Sequence, residues 1–169
     1  MLVQLLGMPY QEVSCDPILL EDYPGESGAE YRANNPGNKV FNYCEPDKAD
    51  ETNNAKVRPE PRCDYLLVGK SDKSVRFIEM KGNDKSSNDC AFCRTTWAHG
   101  FHQLITTYDA YRHCSAPDDT LFFILCTSIP VNAEKGRVPN YKRHKRYMEI
   151  TQRFGSPPRV LYLGEVDEV

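Results

Sequence analysis

The strongest constraint on this chain is a pair of adjacent apolar runs, Arg62-Cys-Asp-Tyr-Leu-Leu-Val-Gly69 and Arg76-Phe-Ile-Glu-Met-Lys-Gly82. Each carries charge where a strand is ordinarily apolar. The polar turn Lys70-Ser-Asp-Lys-Ser74 between them is short enough to make the two strands a hairpin. In the second run Phe77, Glu79 and Lys81 share one face by two-residue alternation, and Ile78 and Met80 share the other. Charges are almost never fully buried unless they are paired or bind a metal. A Glu and a Lys two residues apart in a buried strand therefore imply a use, and the hairpin can bring Asp64 next to Glu79. The bland alternative is an edge strand with solvent-facing charges and a Glu–Lys cross-pair.

The rest of the chain supplies neighbours. Asp16 to Tyr23 has a helix-start signature, with Asp16 as cap and Pro17 at the first position. Glu26 to Tyr31 reads as another helical turn, Asn34-Asn-Pro-Gly37 as a turn, and Lys39 to Cys44 as a strand. Glu45 to Pro61 is charged and nearly devoid of large apolar residues, the pattern of an exposed, flexible loop. After a polar connection over 82–89, Trp97, Phe101, Leu104, Tyr108 and Tyr111 mark one face of an amphipathic helix over Thr95–His113. Thr120 to Ile129 reads as a central strand covered on both faces. A loop over 130–140, a helix over Tyr141–Phe154, a strand over Arg159–Gly164 and an acidic tail complete the chain. This order predicts a single α/β domain over 1–169, with a mixed central β-sheet flanked by helices and a parallel crossover between residues 75 and 129.

Two further patterns bear on partners. The chain is net negative, at −3, yet the second helix carries Lys142, Arg143, Lys145, Arg146 and Arg153 against Glu149. A charge run is usually a solvated face; this imbalance favours contact with a nucleic-acid backbone, or docking on an acidic partner. The seven cysteines are scattered, so reduced thiols are expected, with Cys63 and Cys126 as core fillers. Cys90-x-x-Cys93 could be half a zinc site, completed by Cys44 and Cys63 or by His99 and His102, or a redox pair at a helix start. The brief apolar start lacks a basic leader, and the run Leu121–Cys126 is far too short to cross a membrane, which makes a cytoplasmic protein the expectation.

The hairpin offers a definite chemistry. Asp64 and Glu79 supply two hard oxygen ligands and the Met80 backbone carbonyl a third, a set suited to Mg²⁺ or Mn²⁺. A metal held there would activate water and offset charge on a phosphate, with Lys81 orienting the water or stabilising developing charge. Asp64 followed by Glu79-Met-Lys81 at the end of the next strand resembles the PD-(D/E)XK nuclease superfamily, with Cys63 where its usual proline stands. Arg32 to Pro36, Cys63 to Leu67, Phe77 to Gly82 and Gln103-Leu-Ile-Thr-Thr107 extend the likeness to small stand-alone bacterial members, some of which accompany ATPases in anti-phage systems.

The resemblance implies a restriction-endonuclease-like core. It also implies metal-dependent hydrolysis of nucleic acid, DNA favoured over RNA, with Asp64 and Glu79 on the metal and Lys81 assisting. By the same resemblance Gln103 points at the site from the next helix, an acid from a first helix (Glu30 or Glu26) completes the metal shell, and an ATPase or other defence-complex subunit is a partner. Two rivals stay open: a catalytically inactive nuclease-like subunit that docks a protein, and a zinc-stabilised interaction module centred on Cys90 and Cys93.

Overall fold

The computed structural model describes residues 9–21, 28–46, 62–82, 90–114, 118–130 and 141–169. The expected loop over 45–61 and the connections over 82–89 and 130–140 lie almost wholly outside these residues, as do Glu26 and the first eight residues. The described strands are β1 (Gln11–Val13), β2 (Ile18–Glu21), β3 (Glu30–Asn34), β4 (Phe41–Cys44), β5 (Tyr65–Gly69), β6 (Ser74–Lys81), β7 (Thr120–Pro130), β8 (Arg159–Leu163) and β9 (Asp167–Glu168). Helix α1 (Cys90–Tyr111) lies between β6 and β7, and α2 (Lys145–Phe154) between β7 and β8.

The charged runs form the expected antiparallel hairpin, with Leu66 opposite Phe77 and Val68 opposite Val75. It sits inside a six-stranded sheet of order β1-β4-β5-β6-β7-β8, antiparallel as far as β6 and parallel from β6 through β8. The α/β class, the mixed sheet and the parallel β6–α1–β7 passage are thus as the sequence predicts.

Alternation assigns the two faces. Leu66, Val68, Val75, Phe77, Phe123 and Leu125 pack with Trp97, Phe101, Leu104 and Ile105 of α1 and Ile150 of α2. Phe77 stacks on Phe123 at 5.1 Å between ring centroids, and Tyr108 of α1 meets Phe154 of α2 edge-on at 4.7 Å. Leu67, Ile78, Met80, Ile124 and Cys126 face the other way.

That second face is not covered by a helix among the described residues. It packs against Ile18, Leu20, Tyr31 and Ala33, which belong to a three-stranded sheet of order β2-β3-β9. The helices expected over Asp16–Tyr23 and Glu26–Tyr31 are therefore replaced by strands where these segments are described. In β2, Ile18 and Leu20 are buried while Leu19 and Glu21 are exposed, a period of two and not 3.6. The acidic tail is likewise built in. β9 pairs parallel with β3, and Asp167 is fully buried, where it accepts from the Tyr31 hydroxyl at 2.9 Å and ion-pairs with Arg76 at 3.5 Å and with Arg159. The Arg76 guanidinium in turn lies 4.7 Å over the Phe122 ring.

The second predicted helix begins later than expected. A 3-10 turn over Tyr141–Arg143 precedes it, and His144 caps α2 by accepting from the Arg146 N–H at 3.2 Å. Gly155, at φ 72°, ends it with its N–H on the Thr151 carbonyl. No helix among the described residues is long and apolar enough to cross a membrane.

Candidate active site

Carrying the β5–β6 register one pair beyond Tyr65 opposite Ile78 sets Asp64 opposite Glu79. Asp64 Oδ2 accepts from the Met80 backbone N–H at 2.6 Å, which clips the head of β5 to the end of β6. Glu79 is fully buried, and its carboxylate is ion-paired with the Lys81 ammonium. β6 lies between β5 and β7, so the edge-strand alternative is excluded. The helix-side face of β6 ends in a buried acid and a base whose side chain is 20 % exposed.

Helix α1 closes over this face. A Cβ on Gly100 would stand 2.6 Å from Leu125 Cδ1 and 3.5 Å from Glu79 Cγ, so the helix backbone rides directly on these two side chains. One turn on, Gln103 is buried, and its Nε2 donates to the Arg62 carbonyl at 2.8 Å. Thr107, fully buried, accepts from the Cys63 N–H at 2.7 Å and donates to the Gln103 carbonyl at 2.7 Å. Gln103 and Thr107 therefore grip the two residues ahead of Asp64. Gln103 Oε1 is buried without a hydrogen-bond partner.

One residue beside the site has no mark in the sequence reading, and two others are read there only as possible zinc ligands. Thr127 pairs with Lys81 in the parallel β6–β7 register, is buried, and has no hydrogen-bond partner for its hydroxyl. Its signal was a break in polarity: it is the first polar residue after the apolar run Leu121–Cys126. His99 and His102 flank Gly100 on α1. The His99 ring is held below its ordinary pKa by partial burial, then by the Lys81 charge and by His102. His102 Nδ1 is buried without a hydrogen-bond partner.

The cations of the second helix divide. Lys142, Arg143 and Lys145 are exposed, whereas Arg146 pairs with Glu149 at 2.7 Å and Arg153 donates to Asp109 at 3.1 Å. His144, between Arg143 and Lys145, faces the Phe101 ring at 6.4 Å. The basic turn thus abuts the stretch of α1 that covers Glu79.

Other expected site residues fall elsewhere. Glu30 is on no helix: it lies in β3 opposite Glu21, on the outward face of the small sheet, whereas Glu79 projects from the helix side of the central sheet. Cys90 and Cys93 open α1, and their side chains lie outside the described residues. Cys44 and Cys63 are buried free thiols in the helix-side core; burial pushes Cys44 up to about 12 and Cys63 well above its ordinary value. Cys126 is likewise buried and free, raised first by burial and then by Asp167, Asp64, Glu79 and Glu30.

Among the described residues no group of three or more His, Cys, Asp or Glu side chains is placed to hold a metal. A Mg²⁺ or Mn²⁺ site does not need three, because these ions take one or two carboxylates and fill the remaining positions with water and substrate oxygen. Asp64 and Glu79, opposite each other across β5 and β6, are two carboxylates of that kind, and the buried Glu79 carboxylate has a cationic group, Lys81, beside it. No protein-family model, curated protein or solved structure matches the chain.

Proposed function

We propose that this chain is a divalent-metal-dependent nuclease that hydrolyses phosphodiester bonds of nucleic acid, DNA in preference to RNA. The observation that carries the reading is the fully buried Glu79 in an interior strand, paired with Lys81, with Asp64 one strand away. A buried carboxylate beside a second acid is costly unless cations offset it. The mixed central sheet with its parallel β6–α1–β7 passage supports a restriction-endonuclease-like core.

Asp64, Glu79 and the Met80 carbonyl would hold Mg²⁺ or Mn²⁺. Such an ion supplies a lowered water pKa and stabilisation of phosphate charge. Lys81 orients the attacking water, or stabilises the charge that develops on the phosphate. Gln103 holds the segment that carries Asp64 through Arg62. The basic turn of Lys142, Arg143 and Lys145 contacts the phosphate backbone beside the site. Partnership with an ATPase or other defence-complex subunit belongs to the same reading, by resemblance.

Purified protein should cut DNA in Mg²⁺ or Mn²⁺ and stop in EDTA, and Lys81→Ala and Glu79→Gln should each abolish cleavage. Metal-dependent cleavage unchanged in Lys81→Ala would falsify the assignment. A second reading, an inactive docking subunit, takes the buried Glu79–Lys81 pair as purely structural. It is favoured if neither Mg²⁺ nor Mn²⁺ binds the wild-type chain.

A further inference from the structure

Thr127 is a buried hydroxyl that the chemistry above leaves unused. Its residue is 2 % exposed, and Oγ1 has no hydrogen-bond partner. Native proteins leave few buried polar groups unsatisfied, because each forfeits its hydration without return. Its position is specific. β7 runs parallel to β6, and Thr127 is the Cα partner of Lys81. Registered neighbours in a sheet project to the same face from strands about 4.8 Å apart. Leu125, two residues earlier on that face, lies beneath Gly100 of α1. Thr127 therefore stands beside the root of Lys81, under the helix that covers Glu79.

We propose that Thr127 is a positioning residue for Lys81: its unpartnered hydroxyl receives the Lys81 ammonium when a divalent cation takes that ammonium's place at Glu79. The inference rests on the metal-dependent reading. Lys81 is now ion-paired with Glu79, so a cation bound by Glu79 and Asp64 would meet a like charge where it binds. Lysine has three rotatable donors on a flexible stem, and a threonine hydroxyl has lone pairs to accept one of them. Thr127 keeps the displaced ammonium on the face where the water must be oriented. Lys81 thus serves as the counter-ion of Glu79 and, with a cation held there, would assist the reaction from its place beside Thr127.

The test is a double-mutant cycle read by calorimetric titration of Mn²⁺, with melting in EDTA as the fold control. Thr127→Val should lower Mn²⁺ affinity roughly tenfold, the worth of one hydrogen bond to a charged group, and Thr127→Ser should restore it. In a Lys81→Met background, Mn²⁺ should bind more tightly than to wild type, and Thr127→Val should then have no effect. If Thr127→Val does not fold, Thr127→Ala takes its place in the cycle. Unchanged Mn²⁺ affinity in Thr127→Val, or an equal loss with and without Lys81, overturns the inference while leaving the nuclease reading intact. Absence of Mn²⁺ binding to wild type, or binding insensitive to Glu79→Gln, overturns both.

Discussion

Glu79, fully buried in β6, is ion-paired with Lys81 two residues along the same strand. Strand alternation puts both side chains on the face that Phe77 commits to the core, which lets the Lys81 stem bring its ammonium back to Glu79. Removing one member of a buried pair strands the other, at about 3–5 kcal/mol when both are sealed from water. The Lys81 side chain keeps 20 % of its surface, so solvent screens part of that loss and about 1–3 kcal/mol is expected. Lys81→Met should therefore melt several degrees below wild type in EDTA, at about 2–4 °C per kcal/mol for a chain of this size. Millimolar Mn²⁺ should recover the loss without restoring cleavage. Equal melting temperatures in EDTA would show that Lys81 does not stabilise Glu79.

The grip of α1 on the segment before Asp64 is open to a near-isosteric substitution. Thr107→Val keeps the shape but leaves the buried Cys63 N–H without its acceptor at 2.7 Å. An unsatisfied buried donor costs about 1–3 kcal/mol. Urea denaturation should show a lower midpoint with unchanged slope. Cleavage should fall further than folding stability alone explains, because Asp64 follows directly. Thr107→Ser, which keeps the hydroxyl, should lie close to wild type on both measures, and a Ser variant as impaired as Val would assign the effect to packing.

What could be read from the sequence follows the range of each signal. The hairpin, and hence Asp64 beside Glu79, was legible because a five-residue turn and a period of two are local. Ile18 to Glu21 was not legible as a strand. Asp16-Pro17 imitates a helix start, and four residues are too few to separate a period of two from 3.6. Its strand state depends on pairing with Glu30–Asn34, which in turn pairs with Asp167–Glu168 at the far end of the chain. No local pattern announces the Tyr31–Asp167 hydrogen bond across 136 positions. Gln103 was picked out by resemblance, but its burial and its grip on Arg62 needed the helix orientation. Thr127 gains meaning only from the β6–β7 register, which a parallel crossover leaves unstated in the sequence.

Gly100 sets two effects against each other. In a helix interior, Gly→Ala ordinarily gains about 1 kcal/mol. Here the new Cβ would meet Leu125 Cδ1 at 2.6 Å, and Leu125 is itself fully buried with little room to withdraw. Overpacking of this kind costs about 1–3 kcal/mol. The second effect should win, so Gly100→Ala should be destabilised in chemical denaturation. It should also bind Mn²⁺ less well, because the helix is levered away from Glu79. A stabilised Gly100→Ala variant would mean that α1 does not press on the site.

The exposed basic turn makes a prediction about salt. Lys142, Arg143 and Lys145 are exposed, while the Arg146 guanidinium is engaged by Glu149 at 2.7 Å. If the three exposed cations contact phosphates, each releases condensed counterions on binding, contributing about 0.9 to the slope of log affinity against log salt on duplex DNA. Replacing all three by Ala should reduce that slope by up to about 2.7 and weaken binding uniformly across sequences. Melting should be unaffected, since these side chains leave the core untouched. Arg146→Ala alone should change the slope by less than one phosphate contact. Fluorescence anisotropy with a labelled duplex at several salt concentrations measures both slopes, and a triple variant with the wild-type slope would return this turn to the status of a solvated face.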